Sequence, residues 1–505
     1  MSAAESYRRL LAHLAEAQTL ASCASALEWD QETAMPPKAA AFRAEEMGLL
    51  ARLVHERVTH PSVGAWLADC EADPALAADE DAAANLRELR RDFERATRLP
   101  SSLVAEMSET SSRAMEVWKE ARQKSDFALF SPWLHKQIAL HRQEAACYGT
   151  PEGGEPYDAL LEGYEPGMRS TALERIFAPL REAIVSLLAR IGEAPRKPDT
   201  ALQRARFPVP AQRAFSRFIA DRLGYDFEAG RLDESAHPFT SGMGPGDTRI
   251  TTRYTEDRFL DALSSTMHEV GHALYEQGLP KSERWGQPLS EACSLGVHES
   301  QSRLWENQVG RSRAFWAWAL PEARRHLGGE LDRHGLDEVV GCANAVEASL
   351  IRVDADEVTY NLHVMLRFDL ERALLRGDLE AGDVPEAWNA RMRSDLGLTV
   401  PDDARGCLQD VHWSNGLIGY FPTYTLGNLY AAQLWEAAGA AMPGLADDVA
   451  QGRFAGLLAW LREHVHRHGR RWRAPELCRK VTGQALAHGP LVRYLEEKLR
   501  PVYGF

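Results

Sequence analysis

The chain has 505 residues, 45% of them hydrophobic and 26% charged, with a formal net charge of -15. A chain of this size buries a large core, and the even mixing of Lys/Arg with Asp/Glu excludes the basic stripe that a nucleic-acid surface needs. Seven cysteines, scattered from Cys23 to Cys478 without a CxxC pair, exclude a disulfide framework and a cysteine-zinc site, and fit reduced thiols in a cytoplasmic protein.

In chain order, the opening MSAAESYRRLLAHLAEAQTL places Tyr7, Leu10, Leu11 and Leu14 at helical spacing between charges. It reads as an amphipathic helix rather than a signal peptide. No run approaches the roughly 18 apolar residues of a membrane span, so no membrane contact is expected. Residues 82 to 98 predict a charged, solvated helix. Residues 170 to 192 predict another, with Ser170 as N-cap and Gly192 as its stop. Between 225 and 255 the Gly-, Pro- and Thr-rich segment predicts a loop and a small strand pair. A helix follows over 255 to 277, capped by Thr255, with Phe259, Leu263, Met267, Val270 and Leu274 as its buried face. Residues 344 to 376 lack glycine as well as proline and predict one long helix. The fold class is therefore all-α, mainly helical, with a small β-hairpin or sheet next to the helix over 255 to 277. With no repeat, low-complexity tract or polar linker, residues 1 to 505 read as a single domain.

Residues 268 to 272 read HEVGH. His268 and His272, one turn apart, can converge on a single cation, while Glu269 sits beside it without having to bind. A catalytic zinc site needs three protein ligands, a water and a nearby carboxylate to take its proton. HExxH supplies two ligands and that base. A metzincin continuation is excluded, because its positions hold Tyr275 and Gly278. A glutamate third ligand leaves two candidates, Glu291 and Glu299, read as lying eight residues apart on one helix. Spacing favours Glu291, yet the flanking residues an aminopeptidase carries around that glutamate are missing.

Further pieces stand in order along the chain: WDxETxMP at Trp29 to Pro36, HPF at His237 to Phe239, and DxRxT at Asp247, Arg249 and Thr251. HESQ occupies 298 to 301, IRxxAD holds Ile351, Arg352, Ala355 and Asp356, and GxxQDxHW holds Gly406, Gln409, Asp410, His412 and Trp413. With HExxH among them, the chain resembles the carboxypeptidase Taq family of metallocarboxypeptidases over nearly its whole length. The resemblance implies a saddle- or groove-shaped gluzincin, usually a homodimer, that releases C-terminal residues with broad specificity and acts poorly at proline. It implies Glu299 as third ligand and a structural role for Glu291. The N-terminal helices are expected to form one wall of the substrate groove.

A tetrahedral oxyanion needs a donor besides the metal. Residues 410 to 424 offer His412, Tyr420 and Tyr424, in a pattern similar to the transition-state loop of the thimet oligopeptidase and angiotensin-converting enzyme group. Tyr420 and His412 are the first choices there, and Tyr424 is the next. A free α-carboxylate suits an arginine fork, for which Arg352 and Arg249 are the candidates, His237 assisting either. The plainer reading of Arg352 is an ion pair with Asp354 or Asp356, and Arg249 also suits substrate backbone along an edge strand. Asp356 and Asp410 are open to a role in orienting a metal-binding histidine. The expected cofactor is one divalent ion, zinc first, since the same donors also take cobalt or manganese. Two alternatives remain: an oligopeptidase or endopeptidase on the same scaffold, and a catalytically silent helical protein that binds peptides.

Overall fold

The structure, a computed structural model, describes residues 2–505. Its chain divides into two compact units. The first holds the residues up to Thr97, Asp199–Ala343 and Leu434–Ala485, and the second holds Arg98–Pro198, Asn344–Gln433 and Leu486–Phe505. Helices dominate both, as the Ala-, Leu-, Glu- and Arg-rich periodicity predicts.

In the first unit the N-terminal helix runs over Ala3–Thr33, with the Ser2 hydroxyl accepting from Glu5 N–H as its cap. Its Leu10 and Leu14 pack with Val63, Leu67, Leu86 and Leu89 in one apolar cluster. Two of those leucines come from the Glu80–Arg98 helix, which is thus not a solvated wall. Its Glu88 is buried as well, and pairs with Arg87 and Arg470. A buried carboxylate needs such partners to offset its lost hydration.

Among the described residues there is one sheet, of three strands rather than a pair: β1 (Leu232–Glu234), β2 (Thr240–Gly244) and β3 (Asp247–Thr252), in the order β1-β3-β2. β2 and β3 are antiparallel, with Thr240 opposite Ile250, and β1 joins β3 in parallel. The Thr251 hydroxyl group accepts from Phe239 N–H at 2.9 Å, tying the approach of β2 to β3.

β2 and β3 pack on the helix Phe259–Gly278, which carries HEVGH. This helix starts four residues later than the sequence suggests, with Arg258 and not Thr255 at its N-cap. Phe259, Leu263, Met267, Val270 and Leu274 are all buried along it. Its neighbour is Leu295–Arg303, continued by a π-helical turn, Leu304–Val309. Gly271 sets how close the two come. A Cβ there would stand 2.5 Å from the Gln301 carbonyl oxygen and 2.6 Å from Ser302 Cα, so any larger residue forces the two backbones apart.

In the second unit, Tyr157, Phe177 and Phe368 meet edge to face, with ring centroids 5.3–5.5 Å apart. The helix Ser170–Glu193 takes Arg169 as N-cap and runs through Gly192, which does not stop it. The predicted long helix over 344 to 376 is also absent. Residues 344–351 are irregular, Arg352–Asp354 is a single 3-10 turn, and only Tyr360–Arg376 is α-helical. Asp356 explains the break. Its carboxylate accepts from the backbone N–H groups of Val358, Thr359 and Glu347 and from the Thr359 hydroxyl, an arrangement that competes with helix over this stretch. Asp356 therefore anchors backbone and orients no histidine.

Candidate active site

Among the described residues, His268, His272 and Glu299 are the one group of three whose ligand atoms lie mutually within 4.8 Å. Glu299 Oε2 stands 3.6 Å from His268 Nε2 and 3.3 Å from His272 Nε2. The far side of each ring is already engaged. His268 Nδ1 donates to Glu306 Oε2 at 2.9 Å. His272 Nδ1 lies 2.6 Å from His298 Nδ1, and His298 Nε2 lies 2.8 Å from Glu276 Oε1, which itself pairs with Lys281. Because Glu276 needs a proton from His298 Nε2, His298 Nδ1 is left as acceptor, and the proton between the two rings belongs to His272. Both Nε2 lone pairs are thereby left facing Glu299. Two neutral imidazole nitrogens and a carboxylate oxygen fit a divalent first-row metal.

Burial disfavours charge on Glu299, yet Arg303 at 2.7 Å and the two histidines hold its pKa well below the ordinary carboxylate range. Glu306, beside Arg303, His268 and Arg311, is held down to about 2 against the same burial. Burial above all brings His272 down to about 3, keeping it in the neutral form a cation requires. Glu269 points from the same helix, and burial raises its pKa; Thr240 on β2 donates to its Oε2 at 2.7 Å. A carboxylate so placed is fixed in direction and is a stronger proton acceptor than an exposed one.

Glu291 is not on the helix of Glu299. The chain breaks between them, and the Ser294 hydroxyl caps the new helix at Val297 N–H. Glu291 pairs instead with Arg470 at 2.9 Å. In the same unit Arg249 forms a two-pronged pair with Asp247, at 2.7 and 2.8 Å, with its guanidinium 5.8 Å from the Trp29 ring centroid. His237 is exposed in the approach to β2, its carbonyl accepting from Ser235.

The second unit gathers Arg352, His412, Tyr420 and Tyr424. Arg352 is buried and pairs with Asp410, not with Asp354 or Asp356; Nη2 lies 2.8 Å from Oδ1, and Nη1 donates to Tyr360. Arg367, also buried, binds the other oxygen of Asp410 through Nε at 2.6 Å. One carboxylate thus serves two guanidinium groups, which hold its pKa far below the usual range although burial opposes them. His412 Nε2 lies 3.3 Å from the Tyr424 hydroxyl, and burial brings the ring down to about 4. Tyr420 packs against both, with centroids 5.6 Å from His412 and 5.4 Å from Tyr424.

Three residues that hold the converging side chains, directly or through one partner, escaped the sequence reading. Glu276 follows His272 by four and Glu306 follows Glu299 by seven, both spacings that return to one helix face. His298 stands beside Glu299 in HESQ, but its partner lies on another helix. Replacing His298 by Ala frees the His272 tautomer, and zinc affinity, measured by chelator competition, is expected to fall about 10- to 100-fold. An unchanged affinity rules out this orienting contact.

Helices carrying two histidines, a glutamate and a buried carboxylate beside them make a helical metallopeptidase. The family model for the carboxypeptidase Taq (M32) metallopeptidases matches residues 9–499, and the chain belongs to that family. It is similar to thermostable carboxypeptidase 1 of Thermus thermophilus, with 47% identity over 100% of both chains. Carboxypeptidase 1 of Bacillus subtilis is 36% identical over 98% of this chain and 96% of its own. Among solved structures, an M32 carboxypeptidase from Deinococcus radiodurans superposes with a TM-score of 0.95 at 43% identity, covering 99% of this chain and 100% of that one. The protein is a metallocarboxypeptidase, a peptide hydrolase that works with a divalent metal. No helix among the described residues is long and apolar enough to cross a membrane.

Proposed function

We propose that the chain is a zinc-type carboxypeptidase of broad C-terminal specificity, poor at proline, in which His268, His272 and Glu299 hold the ion. The observation that carries this reading is the convergence of their three donor atoms within 4.8 Å, with Glu269 on the same helix. When bound, the ion supplies Lewis acidity, which lowers the pKa of water and polarises a carbonyl. Glu269 takes the proton of the attacking water and passes it to the departing amine. The Thr240 hydroxyl holds its carboxylate in one orientation for both transfers.

Tyr420 and His412 are assigned the developing oxyanion, Tyr420 through its hydroxyl and His412 through a ring N–H, with Tyr424 assisting through its contact to His412. Arg352 is assigned the substrate's terminal carboxylate. Its partner Asp410 is shared with Arg367, which supports the cluster's affinity for a second anion. Arg249 and His237 are assigned to substrate backbone near the sheet. The seven cysteines, free of disulfides, support a cytoplasmic location. The family match through segments of both units supports one catalytic domain. A homodimer is read from the family resemblance, and zinc is placed first among the ions that the His2Glu donor set takes.

The test is one peptide made with a free and with an amidated C-terminus. The free form should lose residues one at a time from its end, and amidation should slow cleavage at least about 100-fold, because a site built to pair with a charged group rejects its neutral analogue. Equal internal cleavage of both forms overturns this reading in favour of an oligopeptidase.

A further inference from the structure

Glu371 lies fully buried on the Tyr360–Arg376 helix, and none of the roles above uses it. Its carboxylate accepts three hydrogen bonds, one from Tyr157 and two from the loop 413–419. Trp413 Nε1 donates to Oε1 at 2.9 Å, and the Tyr157 hydroxyl and the Gly419 backbone N–H donate to Oε2 at 3.0 Å each. Two of these donors bracket residues 413–419, so a single side chain ties both ends of that loop to the helix. Gly419 has φ of +91°, and a Cβ there would come within 3.2 Å of Leu161 N. Only glycine turns the chain there at low cost and aims its N–H inward.

A carboxylate in such a place is expensive. Burial pushes its pKa up to about 7, against the three donors, and Arg367 one turn earlier attracts it more weakly. A neutral apolar residue would pack there without that cost, but it would leave all three donors without their acceptor. What the carboxylate holds stands next to His412 on one side and Tyr420 on the other.

We infer that Glu371 is a positioning residue for peptide hydrolysis: by clamping Trp413 and Gly419, it fixes where the adjoining His412 and Tyr420 side chains stand. The inference rests on the roles proposed above for those two residues. Glu371 touches no substrate and acts only through the loop.

The test uses the metal-loaded enzyme. Glu371→Gln keeps the shape but turns an amide N–H2 toward the donors, and kcat should fall about 10- to 100-fold, as for a small misplacement of reacting groups. KM should stay within about two-fold, because the loss falls on the transition state. Metal content should not change. Trp413→Phe removes one donor and should show a smaller fall of the same kind, which carries the test if Glu371→Gln does not fold. In a Tyr420→Phe background, Glu371→Gln should cost less than about three-fold more, since coupled residues do not add. Equal losses in both backgrounds, or a change in KM alone, overturn the inference. A fall in Tyr420→Phe with wild-type kcat in Glu371→Gln sinks the clamp alone. Wild-type kcat in Tyr420→Phe sinks the role of Tyr420 and, with it, the inference.

Discussion

Glu269→Gln is expected to keep its metal and lower kcat about 100- to 10,000-fold, the range for removing a general base. The amide has the size of the carboxylate and can still accept from Thr240, so the buried pocket needs no rearrangement. It cannot take a proton. Since Glu269 is not among the three converging donors, elemental analysis of the variant should match the wild type. Turnover near the wild-type rate removes Glu269 from the proton-transfer step, and loss of metal makes it a ligand instead.

The second large effect is on binding rather than turnover. Glu299→Gln should weaken zinc by more than the roughly 10- to 100-fold typical of an outer contact, because it removes a donor and leaves Arg303 with one less carboxylate beside the two imidazoles. The same variant offers a thermal readout. Metal at 100 times its Kd stabilises the wild type by about 2.7 kcal/mol through mass action, and the melting shift this produces should vanish in the variant. A preserved shift would mean that another side chain completes the donor set. The Glu291→Gln variant then becomes the next to measure.

What the sequence discloses is largely what is local. Helical periodicity is local, as is HEVGH, whose two histidines and base lie within five residues, and the helix they occupy has the buried face that its spacing predicts. The third donor is not local. Spacing favours Glu291, and helix logic does not separate it from Glu299, since the break at Ser294 that parts them is a side-chain cap of the kind composition does not announce. The same physics hides the break before Tyr360, where residues free of glycine and proline leave the helix because one Asp356 carboxylate collects three backbone N–H groups. Arg352 shows the remaining limit. Its neighbours in sequence are Asp354 and Asp356, but its partner lies 58 residues away at Asp410, a pairing that only the folded chain creates.

HExxH is written with two open positions, and the second of them is closed in this protein. Gly271 lets the backbone of the neighbouring helix lie against the histidine helix, and Glu299 rides on that neighbour. The wildcard letter therefore sets the geometry of the proposed metal site, since a methyl group added there would widen the distance between Glu299 and both imidazoles without altering any of the three. A designer grafting this centre onto another scaffold must carry over the glycine along with the three converging residues and Glu269, and must also match the Gln301–Ser302 backbone that it admits.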